Sequence, residues 1–126
     1  MFDLATSPTS HALIQDFWAS HIPIAAVCHG PAALARARLA DGSYLLAGKP
    51  VTGFSDVEEE AVGLTGAMPF SLEKELNEKS GGKFEKAGEP WGVKVVVAEG
   101  GKLITGQNPA SAKGVGEALV KALGWV

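Results

Sequence analysis

The 126-residue chain has a single cysteine, Cys28. It can form no internal disulfide and no thiolate-rich metal site, so a reducing, cytoplasmic setting is the expectation. An excess of positive charge is also missing: 11 Lys and Arg stand against 14 Asp and Glu, for a net charge of −3. Without a basic cluster there is no electrostatic footprint for nucleic acid. No apolar run approaches the ~20 residues that cross a bilayer, so no membrane partner is expected. The opening "MFDLATSPTS" has neither a basic start nor an apolar core, and it does not read as a secretory leader.

What is present is an ordinary globular composition, 46% hydrophobic and 20% charged, with the length of one domain over residues 1–126. Sixteen glycines sit mostly where elements should end. "SPTSHALIQDFWASH" reads as a helix capped by Ser10, with Leu13, Ile14, Phe17 and Trp18 on one face. "IPIAAVC" (22–28) is short, apolar and partly β-branched, the pattern of a strand buried on both faces of a parallel sheet. Ala32 to Ala40 reads as a helix that opens at Pro31 and ends at Asp41-Gly42. "YLLAGKPVTGF" predicts short strands around a Gly-Lys-Pro turn. "SDVEEEAVGL" predicts an acidic-headed helix, and "SLEKELNEKSGG" an amphipathic one closed by Gly81. "VKVVVAEGGKLITG" is a hairpin signal. "NPASAKGVGEALVKALG" predicts a helix with Asn108 as cap, Pro109 first and Gly124 past its end. Alternating strand and helix signals argue for an α/β sheet with an added hairpin.

Cys28 falls at the junction of a strand and a helix. A residue on such a sharp turn is thrust above the end of the sheet, which is the logic of a nucleophile elbow, and Gly30 and Pro31 suit that turn. Amide groups at the helix start would favour a thiolate and stabilise an oxyanion. His29 is placed to move a proton near neutral pH. The alternative is a small buried hydrophobe ending an apolar strand. His11, His21 and Trp91 carry no comparable pattern.

"AAVCHGPAAL", followed in order by "GKPVTGFSDVEEE", "PFSLEKEL" and "KLITGQNPASA", resembles the PfpI-like (class I glutamine amidotransferase-like) superfamily. Within it the glyoxalase III and heat-shock chaperone branch is the nearest match. The resemblance implies a flavodoxin-like α/β sandwich with a mainly parallel sheet. It implies Cys28 as nucleophile and His29 as its acid/base partner. An acidic residue of "TGFSDVEEE" would orient the histidine, and matching from Thr52 puts it at Glu59, with Glu58 and Glu60 as runners-up. Asp56 with Glu59, or Ser55 with Glu58, also fits a helix capping box.

The resemblance covers the C-terminal portion of the family pattern. Its N-terminal half, with an acidic residue near the cysteine and a Gly-Gly-His-Gly loop, would lie outside these 126 residues, leaving an incomplete sheet. The implied activity is glyoxalase III-like conversion of methylglyoxal, a small dicarbonyl, to D-lactate (a D-lactate dehydratase, lyase-type reaction) with neither glutathione, metal nor other cofactor. The truncated pocket is expected to be inactive alone. Homo-oligomerisation, or association with the N-terminal half, is expected at the strand edge that half would cover. A redox-sensing or holdase-type stress protein is the alternative from another class. A cysteine peptidase or amidotransferase-like hydrolase is a third, although the His-x-Glu of glutaminases does not occur.

Overall fold

In the computed structural model, which describes residues 1–125, three short strands form one mixed sheet in the order β1-β3-β2. β1 (Ile24–Val27) runs parallel to β3 (Leu103–Gly106). β2 (Val95–Ala98) turns back on β3 through Glu99–Gly101 to make the antiparallel hairpin. All four residues of the central strand β3 are buried, so both sheet faces are covered. Leu103 joins a core with Leu34, Leu45, Leu46, Val51, Phe54, Leu72 and Leu76. On the other face α5 (Ala112–Ala122) packs across all three strands. A Cβ on Gly106 would lie 2.6 Å from a Val115 methyl, so this contact needs glycine in β3. The α/β class is the expected one.

Caps explain the helix starts. α1 (Pro8–Ala19) is capped by Ser7, whose hydroxyl accepts from the Ser10 amide, with Pro8 in the first turn. The cap is therefore Ser7 and not Ser10, because Pro8 needs no amide partner there. Ile14 and Trp18 reach the core, whereas Leu13 and Phe17 stay exposed. α3 (Asp56–Ala61) begins with a full capping box between Ser55 and Glu58. α4 (Leu72–Lys79) is capped by Ser71, and Gly81 follows its end at φ 73°.

Four further expectations are corrected. The helix read from Ala32 to Ala40 is a single turn, α2 (Ala32–Ala35). Its continuation is pre-empted by a turn in which Arg38 bridges Tyr44 and the Leu45 amide donates to Ala37. "YLLAGKPVTGF" forms no regular strands: Leu45, Leu46 and Val51 are fully buried, but only an isolated bridge joins Val51 to Phe84. Asn108 does not cap α5 with its side chain; a 3-10 turn over Pro109–Ser111 intervenes. β1 is also shorter than the run 22–28, and each of its residues is only half-buried. It forms one edge of the sheet. Beside it a groove of about 500 Å³ is lined by Leu4, Leu13, Ile14, Ile24, Ala26 and Leu34, among others. No helix among the described residues is long and apolar enough to cross a membrane.

Candidate active site

Parallel pairing carries β1 to its end at Val27, where the Cys28 amide donates to the Gly106 carbonyl at 3.0 Å. The chain then turns sharply. Cys28 takes φ 63°, the left-handed region in which a side chain bearing a Cβ is strained. The Gly30 amide closes the turn on the Val27 carbonyl at 2.9 Å. A Cβ at position 30 would sit 3.0 Å from that carbonyl oxygen and 3.2 Å from the Val27 nitrogen, so the turn closes tightly only with glycine. The Cys28 carbonyl accepts from the Phe54 amide at 2.9 Å, which ties the elbow to the segment leading into α3.

Cys28 Sγ lies 3.4 Å from His29 Nδ1, and His29 Nε2 lies 2.6 Å from Glu59 Oε2. Cys28, His29 and Glu59 are thus brought together in a line, nucleophile candidate to imidazole to carboxylate. An ionised carboxylate only accepts, which favours the tautomer with its proton on Nε2 and leaves Nδ1 facing the sulfur. The imidazole is partly open to solvent, while the Glu59 side chain is 9% exposed. Phe54 backs the imidazole, ring centroids 4.5 Å apart. Glu60 turns away and accepts from the Thr65 hydroxyl at 3.1 Å. Glu58 is fully buried in a separate network.

The electrostatics correct one expectation. Burial pushes the Cys28 thiol above its ordinary value, and the nearby Glu58 and Glu59 carboxylates push it the same way; a hydrogen bond from the His29 amide opposes them. The helix start offers little help. α2 is one turn long, and the Ala32 and Ala33 amides are already bonded to the His29 and Gly30 carbonyls. The His29 amide is the elbow donor directed at the sulfur. Burial and the two carboxylates favour the thiol form of Cys28, and the His29 imidazole lies against it. Such an arrangement can deliver a thiolate to an electrophile while storing the proton on imidazole. Among the described residues no cluster of three or more His, Cys, Asp and Glu is placed to hold a metal ion.

Sequence reasoning passed over Phe54 and Gln107, and it read Asn108 only as a helix cap. Phe54 was hidden because an aromatic before a helix cap reads as packing. The two amides were hidden because their partners come from distant segments.

No family model matches the chain. The glutathione-independent glyoxalase hsp3101 of Schizosaccharomyces pombe is 33% identical over 127 residues, a match covering 96% of this chain and 51% of that protein. A crystal structure of glyoxalase III from Candida albicans superposes with a TM-score of 0.85 at 29% identity, over 96% of this chain and 52% of that one. A ThiJ/PfpI domain protein from Brachyspira murdochii shares the fold, with a TM-score of 0.64 at 20% identity, over 98% of this chain and 54% of that one. The chain spans about half the length of the curated relatives it matches.

Proposed function

We propose that this chain, a homologue of the glutathione-independent glyoxalases of the PfpI-like superfamily over about half their length, carries the reacting half of a glyoxalase III-like site that converts methylglyoxal to D-lactate. The observation that supports it is the Cys28–His29–Glu59 line, at 3.4 Å and 2.6 Å.

In this reading the Cys28 proton passes to His29 Nδ1 as the sulfur adds to the aldehyde carbon. The C–S bond forms, and the carbonyl electron pair moves to oxygen, which takes the proton back to give a hemithioacetal. His29 then removes the proton on that carbon and returns it to the neighbouring one, while the hydroxyl proton passes to the neighbouring oxygen, through an enediol. The resulting thioester is cleaved by water to lactate and the free thiol. Glu59 holds the Nε2–H tautomer and stabilises the imidazolium that forms twice. The His29 amide is the elbow's contribution to the oxyanion.

The active unit in this reading is longer than 126 residues. The relatives' remaining half supplies the rest of the pocket and lies along the open edge of β1 and its apolar groove. The redox-sensor alternative is less favoured: a sensor thiol is exposed and readily ionised, whereas Cys28 is half-buried beside two carboxylates.

The test is D-lactate formation from methylglyoxal, by residues 1–126 alone and joined to the remaining half of a relative. Turnover is expected from the joined protein only, at least about a hundredfold above the chain alone, because an oxyanion donor alone is worth about that much. Absence of Cys28-dependent turnover in the joined protein would overturn the activity. Full turnover by the chain alone would overturn the requirement for a second half.

A further inference from the structure

We propose that Glu58 is a positioning residue for the Cys28–His29–Glu59 site, holding the His29 ring in place through Trp91 and Phe54. The inference rests on the site reading above, but not on the identity of its substrate.

Glu58 is 0% exposed, and every group that faces its carboxylate is a donor. Oε1 accepts from the Ser55 amide (3.0 Å), the Ser55 hydroxyl (2.8 Å) and Gln107 Nε2 (3.0 Å). Oε2 accepts from the Trp91 amide (3.0 Å) and Asn108 Nδ2 (2.8 Å). These donors belong to three segments: the start of α3, the exit of β3 and the loop before β2. The amides are fixed in turn. Gln107 Oε1 accepts from the Ala87 amide, Asn108 Nδ2 also donates to the Gly92 carbonyl, and Asn108 Oδ1 accepts from the Ser111 hydroxyl. A helix cap needs only the Ser55 bonds. The other three have a different consequence.

That consequence begins at Trp91, held at φ 65° with its amide on Glu58. Its ring meets Phe54 edge-on, centroids 5.6 Å apart and planes at 66°. Phe54, 4% exposed, also lies 4.5 Å from the His29 ring, centroid to centroid. The imidazole must face Cys28 with one nitrogen and Glu59 with the other, so a small rotation breaks both contacts at once. A packed ring behind it opposes that rotation. Glu58 therefore fixes Trp91, Trp91 fixes Phe54, and Phe54 holds His29. Misplacement of about 1 Å costs about a hundredfold when a reacting group depends on alignment.

Two variants and two substrate-free readouts test this in the chain itself. The readouts are the His29 Nε2–H resonance in the proton NMR spectrum and the pH profile of Cys28 alkylation by iodoacetamide. Removing the Glu58 charge by itself moves the thiol, so W91L, which leaves that charge in place, carries the alkylation test. In W91L the resonance is expected to broaden or shift, and alkylation at neutral pH to slow by about tenfold. In E58Q the same resonance is expected to change in the same way. An unchanged resonance in folded E58Q, with only its unfolding midpoint lowered, would reduce Glu58 to a structural carboxylate. If E58Q does not fold, W91L decides: wild-type resonance and profile there overturn the proposal. Failure of methylglyoxal turnover would remove the activity and leave both readouts intact.

Discussion

Glu58 and Glu59 are neighbours in one turn of α3, yet they occupy opposite kinds of environment. Glu58 accepts five hydrogen bonds and is sealed from solvent. Glu59 makes one short contact, to His29, and its second oxygen Oε1 is buried with no partner among the described residues. The saturated carboxylate sits where three segments meet and cannot move without breaking them all. The undersaturated one ends a line that runs out to a strained cysteine. Strain and unmet bonding collect on one side of the turn, and rigidity on the other. The proton shift proposed for this site calls for the first kind of group, held in place by the second.

Removing the groups proposed to react should sharpen that contrast most. In the joined, full-length protein, Cys28→Ala is expected to bring D-lactate formation to background. Glu59→Gln is expected to lower kcat about a hundredfold or more with little change in the urea midpoint, since the task proposed for the carboxylate is to hold tautomer and charge. A Glu59→Gln enzyme with wild-type kcat would break the distinction between the two acids.

Whereas Glu59→Gln leaves stability almost untouched, Glu58→Gln should lose stability as well as the alignment of His29. An amide nitrogen there must face donors on whichever side it lies, which costs about 2 to 4 kcal/mol. The pH dependence gives an independent check. Burial raises the Glu58 pKa, but hydrogen bonds from Gln107, Asn108 and Ser55 outweigh it and hold the value below the ordinary 4.5. As pH falls, the unfolded carboxylate takes its proton first. This part of the stability is complete above the ordinary value and is lost as pH drops through the lowered one. Urea titrations between pH 6 and 3 should therefore slope less steeply for Glu58→Gln than for wild type. Equal slopes would deny the network its charge.

Gly30→Ala is expected to cost about 1 to 3 kcal/mol by chemical denaturation, because the added methyl meets the Val27 backbone and not a yielding side chain. Alkylation of the surviving Cys28 should slow as the elbow opens. In the wild-type chain the alkylation midpoint is expected above the ordinary thiol value of 9.0, as burial and the two carboxylates require. The smallest effect belongs far from both acids: Lys113→Ala removes an exposed pair with Glu117 at 3.7 Å and should change stability by no more than about 0.5 kcal/mol.

The hairpin, α4 and the end of α5 are legible in the sequence because their signals are local: Glu99–Gly101 between two β-rich runs, Ser71 and Gly81 around a helix, Gly124 after one. The region between Ala35 and Val51 is not. There helix-forming residues yield to a buried turn, and Leu45, Leu46 and Val51 are apolar because they fill the core, not because they pair. The site divides in the same way. Cys28 and His29 are adjacent, and a strand-to-helix reading brings them to a turn. The Ser55–Glu58 box can be read from its spacing, although Asp56–Glu59 fits the same pattern. That Glu58 also receives Trp91, Gln107 and Asn108 depends on contacts 33 to 50 residues apart, which no local pattern announces.

The backbone at Cys28 sets folding and chemistry in competition at a single codon. At φ 63° a glycine would relieve strain of about 1 kcal/mol or more, and it would discard the thiol. In a mutant library sorted only for resistance to proteolysis, glycine should accumulate at position 28. In the same library sorted for methylglyoxal tolerance, cysteine should persist despite its cost. Opposite enrichments at this one position would measure how much stability the chain forgoes in order to hold a sulfur above the end of its sheet.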